Sequence, residues 1–561
     1  MTGLVQAFAA ILHTADVQVA GRCCDLGGEP SELVALGVAL AVRAVREGSV
    51  CVDLRTLPDQ APDHPDLPWP DPPALLAALQ ASPLLGNAVQ LYDDRLLYLD
   101  RYWREELQVC ADLLALAAAD MPATEPAAAH LDRLFPHGSY REQRSAAELA
   151  AAQQVTVLTG GPGTGKTTTI ARLLALLAGQ SPQRLRIALT APTGKAAARL
   201  AEAVAGELAQ LPPSDGERLG RLPALTLHRL LGGRPDTASR FRHNRSNRLP
   251  HDVIVVDEAS MVSLTLMARL LEAVRPGARL LLVGDPDQLT SVQAGAVLAD
   301  LVEGLAGRSD ITIAALHTKH RFGASIGALA QAIRSGDGEL AVQFLRAGDP
   351  AVEFIETPGG LGAESDRLRE LLVPQAVRVR EAALLGAADA GLELLDGHRL
   401  LCAHRDGPAG VTHWNARVQR WVSEATGQAT WSPWYPGRPV LVTANDYGLG
   451  IYNGDTGLVV ATPDGNRVAI SGCPQQFSPS RLSDVQTMYA LTIHKSQGSQ
   501  ATEVTVLLPD LDSRSLTREL LYTAVTRARD KVRVVGTADA VRAAVSRPAL
   551  RATGLRNRLR P

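Results

Sequence analysis

A glycine-rich stretch, Gly160 to Thr167 (GGPGTGKT), has the residue types that bind nucleotide phosphates. It fits the pattern G-x-x-x-x-G-K-[ST], and it stands between an apolar run that predicts a strand and a pattern that predicts a helix. In that setting the glycines allow backbone N–H groups to face the phosphates, and the helix N-terminus adds its positive end. We expect this P-loop, residues 160–167, to hold ATP; a glycine-rich turn without a ligand is the weaker alternative.

The side chains of the P-loop have separate predicted tasks. Lys166 should reach the β- and γ-phosphates, and Thr167 should hold Mg²⁺. The nucleotide-binding residues predicted from this segment are Gly160, Gly161, Pro162, Gly163, Thr164, Gly165, Lys166, Thr167 and Thr168.

Two other predicted strands end in polar side chains. Asp257 and Glu258 follow the apolar run VIVV, and Asp285 and Gln288 follow the run LLLVG. Because ligands of parallel α/β sheets bind at the carboxyl ends of the strands, we expect these groups near the P-loop. Asp257 would hold Mg²⁺, directly or through water, Glu258 would polarise the attacking water, and Gln288 would sense the γ-phosphate.

The elements that must position these groups are short apolar strands alternating with helices. Fully apolar runs are typical of parallel strands buried on both faces. They occur at 155–159, 186–191, 253–257 and 279–285, and again at 398–404, 504–509 and 531–536. The sequence therefore predicts two α/β domains.

Between them, residues 406–484 alternate apolar and polar residues, with turn signals at Asn453-Gly454-Asp455 and Asp464-Gly465, and we expect a small inserted β-barrel there.

Composition limits the partners and the compartment. The 561 residues suffice for several domains, and the formal net charge of −3 excludes nucleic-acid binding through bulk charge, so any DNA site must be a local groove. Six scattered cysteines without a C-x-x-C motif argue against a metal or disulfide framework. The N-terminus lacks the basic region of a signal peptide, and the longest apolar run is too short to span a bilayer. We expect a soluble, cytoplasmic protein.

Six further segments stand in a fixed order along residues 190–528. They are TAPTGKAAARL (190–200), VVDEASMV (255–262), VGDPDQLTSVQAG (283–295), HRF (320–322), TIHKSQGSQ (492–500) and LLYTAVTRA (520–528). In order and context they resemble the motifs of superfamily 1 helicases, most closely the 5′-to-3′ branch and its RecD family. The resemblance covers about residues 140–540. It implies an α/β fold with two RecA-like P-loop domains and an SH3-like inserted barrel.

The resemblance implies roles for residues beyond the P-loop. Arg321 and Arg527 would stabilise the transition state from the second domain, joining Lys166, Glu258 and Gln288 as catalytic residues, and Gln143 would recognise adenine. The implied DNA contacts are Thr193, Lys195, His228, Thr492, His494 and Ser496. The basic stretch 240–248 either lines the DNA channel or is a solvated loop, and the sequence does not decide between them. Gln500 departs from the family, which usually has Glu, so nucleotide selectivity is open.

The expected domains are residues 1–130, 131–320, 321–405 with 485–561, and the insert 406–484. The first 130 residues have helical periodicity, broken by a proline-rich loop at 57–73, and 120–130 has the composition of a linker. The segment 93–106 resembles the N-terminal region of RecD subunits, although its aromatic residues Tyr98, Tyr102 and Trp103 could equally form a plain helix core. The resemblance implies that this domain docks onto a RecC-like subunit beside a RecB-like subunit.

The leading interpretation is thus an ATP-dependent 5′-to-3′ DNA helicase, a RecD-type subunit of an exonuclease V-type machine whose nuclease lies in a partner. One alternative is a stand-alone RecD-like helicase, and another is a nucleotide-binding regulatory subunit without unwinding activity. If residues 1–130 fold as a separate docking unit, removing residues 1–120 would leave the ATPase but abolish assembly.

Overall fold

The computed structural model describes residues 3–61, 63–119, 128–136, 138, 140–234, 237–291, 293–308, 310–311, 313–318, 323–357, 365–446, 448–549 and 551–560. Arg321 and most of the predicted linker lie outside the described residues. No described helix combines the length and the hydrophobicity needed to cross a membrane.

The N-terminal region combines helices with a small antiparallel sheet that the sequence did not predict. Its elements are α1 (Gly3–Ala7), α2 (Thr14–Gly27), α3 (Glu32–Arg46), β1 (Cys51–Asp53), a 3₁₀ turn (Pro58–Gln60), α4 (Pro72–Ala81), β2 (Val89–Tyr92), β3 (Leu96–Leu99) and α5 (Asp100–Ala117), with strand order β1-β3-β2. Asp93 and Asp94, both with positive φ, form the tight turn between β2 and β3, as primed hairpin turns require. Tyr98 is therefore a fully buried strand residue and not part of a helix core.

The first parallel sheet contains the P-loop and all four strands predicted for it. The segments in chain order are α6 (Ala128–Leu134), α7 (Arg141–Ala152), β4 (Val155–Gly160), α8 (Lys166–Gln180), β5 (Ile187–Ala191), α9 (Gly194–Leu208), α10 (Pro213–Glu217), β6 (Ala224–Thr226), α11 (Leu227–Leu231), β7 (Gly233–Arg234), β8 (Thr237–Phe241), β9 (Val253–Val256), a 3₁₀ turn (Ala259–Met261), α12 (Leu264–Ala273), β10 (Arg279–Gly284), α13 (Val297–Gly304) and β11 (Ile313–Leu316). The strand order is β11-β4-β10-β9-β5-β6, and every pair is parallel, whereas β7 and β8 form a separate hairpin.

A second parallel sheet follows, interrupted by an antiparallel one. Before the interruption the elements are α14 (Ala324–Ser335), α15 (Gly338–Arg346), β12 (Val352–Glu356), α16 (Ser365–Leu384), α17 (Ala388–Gly397), β13 (His398–Cys402) and α18 (Val411–Thr426). The antiparallel strands are β14 (Pro439–Val442), β15 (Thr456–Val460), β16 (Arg467–Ile470), β17 (Gln476–Phe477) and β18 (Val485–Thr487), with a 3₁₀ turn at Pro479–Arg481. The second sheet resumes with β19 (Ala490–Thr492), α19 (Ile493–Ser496), β20 (Ala501–Leu507), α20 (Arg518–Val525), β21 (Ala528–Gly536), α21 (Ala538–Ser546) and α22 (Leu555–Leu559).

The second parallel sheet has the order β12-β21-β20-β13-β19, and the inserted sheet has the order β17-β16-β15-β14-β18. The predicted turn glycines Gly454 and Gly465 both have positive φ, which favours glycine at these turns. The segment 406–438 adds no strand to the inserted sheet. Its helix α18 buries Trp414 in the same hydrophobic core as Leu400 and Cys402 of β13.

Candidate nucleotide site between the two parallel sheets

The P-loop joins the carboxyl end of β4 to α8, as the sequence predicted. Gly163 and Gly165 adopt positive φ of 79° and 90°, a conformation open to glycine at little cost. A Cβ atom on Gly160 would lie 2.5 Å from the Thr164 hydroxyl and 2.9 Å from the Leu316 carbonyl oxygen, so the tight turn requires glycine here too. These glycines let the loop fold back over the end of its own strand.

Side chains of the P-loop brace its backbone. The Thr164 hydroxyl donates to the Gly161 carbonyl at 2.9 Å, and Lys166 Nζ donates to the carbonyls of Gly160 and Gly161 at 2.6 and 3.0 Å. The ammonium group of Lys166 thus lies over the mouth of the loop.

The acidic pair follows β9, two strands from β4 in the same sheet. Asp257 is half-buried, and its Oδ1 accepts a hydrogen bond from the Glu258 backbone N–H at 2.9 Å. Burial, with the Glu258 carboxylate beside it and Lys166 opposing, raises the pKa of Asp257. Glu258 has φ 51° and ψ 41°, the left-handed region, which is uncommon for a residue with a side chain.

The second sheet closes this edge and forms a cavity of about 180 Å³. The residues that line the cavity are Pro162, Gly163, Gly165, Lys166, Thr167, Thr168, Ala196, Arg199, Leu200, Ala203, Asp257, Glu258, Gln288, Gly498, Gln500 and Arg527. Arg527 is 4% exposed, and its Nε donates to the Thr523 carbonyl at 3.1 Å. Burial lowers the pKa of Arg527, whereas Glu258 and Asp285 favour its charged form. The predicted catalytic residues Lys166, Glu258, Gln288 and Arg527 therefore share one cavity.

Two polar side chains that line the cavity were not among the predicted site residues. Arg199, on α9, donates from Nη1 to the Gly498 carbonyl at 2.8 Å, and so joins the first α/β domain to the second. It lies four residues after Lys195 on one helix face, a spacing that could have drawn attention to it. Gln500 lines the cavity from the second domain, where its neutral amide replaces the usual carboxylate.

Thr167 and Asp257 both line the cavity and offer a hydroxyl and a carboxylate oxygen, the kinds of ligand that Mg²⁺ prefers. The neighbouring Thr168 hydroxyl donates to Glu207 Oε1 at 2.9 Å. Gln143, 3% exposed, lies against the P-loop backbone, where its Nε2 donates to the Thr164 carbonyl at 3.2 Å. Adenine recognition by Gln143 stays a prediction.

The first group of predicted DNA contacts lies at the carboxyl ends of β5 and β6. Thr193 caps α9 by accepting from the Ala196 N–H at 3.2 Å, and His228 is exposed on α11 beside Phe241. Lys195 is half-buried, and burial, with Arg399 and Arg199 nearby, lowers its pKa to about 7. A Cβ on Gly194 would overlap the side chain of Tyr452, so the insert packs closely on the start of α9.

The second group surrounds α19. Thr492 caps this helix, accepting from the Lys495 N–H at 3.3 Å, and burial, followed by Arg551, lowers the pKa of His494 to about 4. Ser496 is 2% exposed, and its hydroxyl donates to the Ile493 carbonyl at 2.6 Å. The hydroxyls of Thr492 and Ser496 are engaged within the turn itself. DNA contact by all six predicted residues stays a prediction.

The basic stretch 240–248 is partly tied to the rest of the protein. Arg245 forms an ion pair with Asp112 of α5 at 2.8 Å, and Arg248 donates to the Val274 carbonyl. These two arginines therefore hold the loop against neighbouring elements.

Three parts of the chain match known protein families. Residues 9–97 match the N-terminal domain of RecBCD enzyme subunit RecD, residues 143–294 match an AAA domain, and residues 487–535 match a UvrD-like helicase C-terminal domain. The matches lie in the N-terminal region and in both parallel-sheet domains.

Comparison with individual proteins extends the similarity to the full length. The RecBCD enzyme subunit RecD of Mycobacterium tuberculosis (strain CDC 1551 / Oshkosh) is 64% identical over 100% of this chain and 97% of that protein. The ATP-dependent RecD2 DNA helicase of Deinococcus radiodurans is 34% identical over 85% of this chain and 61% of that protein. A crystal structure of Bacteroides Pif1 bound to ssDNA is 18% identical, with a TM-score of 0.40 over 74% of this chain and 92% of that one, which is too weak to support an argument. Identity at the level of the mycobacterial protein, sustained along the whole chain, shows that the chain belongs to the RecD family of RecBCD enzyme subunits.

Proposed function

We propose that this protein is an ATP-dependent 5′-to-3′ DNA helicase and translocase that acts as the RecD subunit of a RecBCD-type helicase–nuclease in the repair of double-strand breaks by homologous recombination. The observation that carries the proposal is the cavity that the P-loop and the acidic pair share with Arg527 of the other domain. A nucleotide held there touches both domains, so its hydrolysis changes the contacts between them. Repeated closing and opening would move a DNA strand across the two domains.

The side chains divide the work of hydrolysis. Lys166 would hold the β- and γ-phosphates, Glu258 would accept a proton from the attacking water, and Arg527 would stabilise the charge that develops on the transferred phosphoryl group. Thr167 and Asp257 would hold Mg²⁺, which neutralises phosphate charge when bound. Arg321 would add a second arginine from its own domain.

The finer assignments belong to the same proposal. Residues 1–130 would dock on a RecC-like subunit of a heterotrimer that also contains a RecB-like subunit, in the cytoplasm, and nuclease activity would lie in a partner. Residues 131–320 and 321–405 with 485–561 would be the RecA-like motor domains, here called motor domains 1 and 2. The insert 406–484 would be an SH3-like barrel, and single-stranded DNA would cross both motor domains near Thr193 and Thr492.

A stand-alone helicase is the second candidate, supported by the similarity to the Deinococcus RecD2 helicase. The subunit is favoured because the chain is 64% identical to the mycobacterial RecD protein but 34% identical to RecD2. A regulatory subunit that binds nucleotide without unwinding DNA is disfavoured by the presence of Glu258 and Arg527 in one cavity.

The test is an unwinding assay on duplexes with either a 5′ or a 3′ single-stranded tail, with the purified chain alone and with its partner subunits. We expect ATP-dependent unwinding of the 5′-tailed duplex, lost in a Lys166→Ala variant that still folds. Unwinding of only the 3′-tailed duplex would contradict the polarity, and DNA-independent ATP turnover without unwinding would favour the regulatory subunit. Full activity of the chain without partners would favour the stand-alone helicase.

A further inference from the structure

We infer that Tyr522 of motor domain 2 is a positioning residue for ATP hydrolysis in motor domain 1. Its hydroxyl holds the Asp285 carboxylate, and Asp285 in turn fixes the orientation of the Gln288 amide in the nucleotide cavity. The inference rests on the proposed function and adds to it a contact through which closure of the two domains sets up the hydrolytic site.

Two hydrogen bonds link Tyr522, Asp285 and Gln288 across the domain boundary. Asp285 Oδ2 accepts one hydrogen bond from the Tyr522 hydroxyl at 3.1 Å and another from Gln288 Nε2 at 3.0 Å. All three side chains are buried, with 1%, 3% and 3% exposure for Asp285, Gln288 and Tyr522. Water therefore competes little for these hydrogen bonds, and each is stronger than it would be at the surface.

The chemistry of Asp285 decides which way the amide faces. An ionised carboxylate only accepts hydrogen bonds, so Gln288 must turn its NH₂ group toward Asp285. The other end of the amide, Oε1, is buried without a hydrogen-bond partner among the residues that the structure describes, and Gln288 lines the cavity. An acceptor left open at this position suits the O–H of the attacking water. Gln288 would then orient the water, whereas a flipped amide would offer a donor to the phosphate.

The Tyr522 hydroxyl is placed for this task by motor domain 2. Burial, together with the Asp285 carboxylate, raises the pKa of Tyr522 well above its usual value, so the hydroxyl stays protonated and can donate. A Cβ atom on Gly161 would lie 3.1 Å from this hydroxyl, so the phenol also packs directly on the P-loop. The hydroxyl thus lies between the phosphate-binding loop and Asp285.

Neighbouring contacts hold the same two segments together. The Leu289 N–H donates to the Thr523 hydroxyl at 2.8 Å, and Gln497 Nε2 donates to the Leu289 carbonyl at 2.5 Å. Residues on both sides of Gln288 are therefore tied to motor domain 2. When the domains separate, Asp285 loses the Tyr522 hydroxyl and the amide of Gln288 loses part of its support. Hydrolysis would proceed fastest when the domains are closed.

The experiment compares the full-length wild type with Tyr522→Phe in steady-state ATPase assays with single-stranded DNA. The variant removes one hydroxyl and keeps the buried ring. We expect kcat to fall by about ten- to a hundredfold, the size of effect that a misplaced catalytic group produces, with little change in KM for ATP. The matched control is Tyr435→Phe, because the Tyr435 hydroxyl is also buried and hydrogen-bonded, to Tyr489 at 2.9 Å, away from the cavity. It should leave kcat unchanged.

A double-mutant cycle separates positioning from a general loss of structure. If Tyr522 acts through Gln288, adding Tyr522→Phe to Gln288→Ala should cause no further loss of kcat. If the losses of kcat in the two single variants multiply in the double variant, the inference is wrong. It is also wrong if Tyr522→Phe has the kcat of the wild type, or if a fall in its melting temperature accounts for its lost activity. A wild type without DNA-stimulated ATPase would overturn the proposed function itself, so the two failures are distinguishable.

Discussion

The backbone of Glu258 shows how one residue is adapted to the cavity. A residue with a side chain in the left-handed region is held at a cost of about 1–3 kcal/mol, and such strain clusters at functional sites. Among the described residues, Asp93 and Asp94 are the other non-glycine residues with positive φ, and both lie in a hairpin turn. At Glu258 the left-handed backbone conformation turns the chain sharply after β9, and this carboxylate lines the cavity.

We predict that Glu258→Gln lowers kcat for ATP by about 10²- to 10⁴-fold, because the amide cannot accept the proton of the attacking water. ATP binding should persist, since the P-loop is intact. Steady-state ATPase and nucleotide-binding measurements test this. Asp93→Asn is the matched control, a carboxylate at a positive-φ position in the hairpin turn, and it should leave kcat unchanged. Equal activity of Glu258→Gln and the wild type would remove Glu258 from the proton transfer.

Arg527 gives the second prediction at this scale. The guanidinium is buried in the cavity wall, where its Nε donates to the Thr523 carbonyl at 3.1 Å, and its two terminal nitrogens make longer contacts of 3.4 Å with the Ser499 carbonyl and the Thr526 hydroxyl. The Glu258 carboxylate favours its charged form. Arg527→Lys should lower kcat by about 10³-fold or more with a small change in KM, because an ammonium group cannot reproduce the forked geometry at the transition state. Arg533→Lys, in a network with Glu353 and Glu503, is the control. Parallel losses in kcat and affinity would mean that Arg527 supports structure only.

At the scale of elements, the C-terminal segment fastens the N-terminal region to motor domain 1. Glu106 of α5 is fully buried and accepts from four donors: the Tyr98 hydroxyl, the Thr553 hydroxyl, the Gly554 N–H and Arg558 Nε, at 2.9 to 3.2 Å. Arg558 of α22 lies over the rings of Tyr92 and Trp103, 4.0 Å from each centroid. The helix that carries it packs on α13 of motor domain 1. Sequence reasoning treated Trp103 only as a docking or core residue.

We predict that Arg558→Ala lowers the free energy of unfolding by about 3–5 kcal/mol, because it leaves the Glu106 carboxylate buried without its cation. Burial already raises the pKa of Glu106, so the orphaned group is protonated more readily in the folded state. The loss should therefore be larger at pH 8 than at pH 5. Urea unfolding at both pH values measures it, with exposed Arg560→Ala as the control. A pH-independent loss, or an equal loss in the control, would argue against this account.

At the scale of the whole molecule, the N-terminal region is joined to both motor domains. Val109 and Leu113 of α5 belong to the same hydrophobic core as α12 and the first parallel sheet. Glu47 forms an ion pair with Arg514 of motor domain 2 at 3.1 Å, and the Gly48 carbonyl accepts from the Gly295 N–H at 3.0 Å. We therefore no longer expect residues 1–130 to fold as a separate docking unit, because the end of this region completes the core of motor domain 1.

We now predict that removing residues 1–120 lowers the melting temperature and abolishes DNA-stimulated ATPase, because it exposes the apolar face of α12. Removing residues 1–12 is the control for truncation, since α1 packs on α3 within the N-terminal region. It should leave the ATPase largely intact. Thermal unfolding and ATPase assays on both truncations test this. A truncation at residue 120 with the stability and ATPase of the full chain would restore the picture of an independent docking unit.

The sequence by itself predicted the parts of the fold that depend on local pattern. The seven predicted strands, from β4 to β21, are apolar over most of their length because layers cover both faces of the sheet centre. Every strand that was missed in the parallel sheets is an edge strand: β6 and β11 in the first, and β12 and β19 in the second. An edge strand is short or partly exposed, so its residues carry no continuous apolar signal.

The same division holds for the site. The P-loop, the acidic pair after β9 and Arg527 are recognisable because each depends on a motif of a few consecutive residues. The pairing of Tyr522 with Asp285 joins residues 237 positions apart, and that of Arg558 with Glu106 joins residues 452 positions apart. The periodicity of apolar residues in the sequence does not predict such a contact, because the contact forms only once distant parts of the chain have packed against each other. The sequence therefore predicted which groups would do the chemistry, and the tertiary structure decided which other groups contact them, because those contacts form only between distant parts of the folded chain.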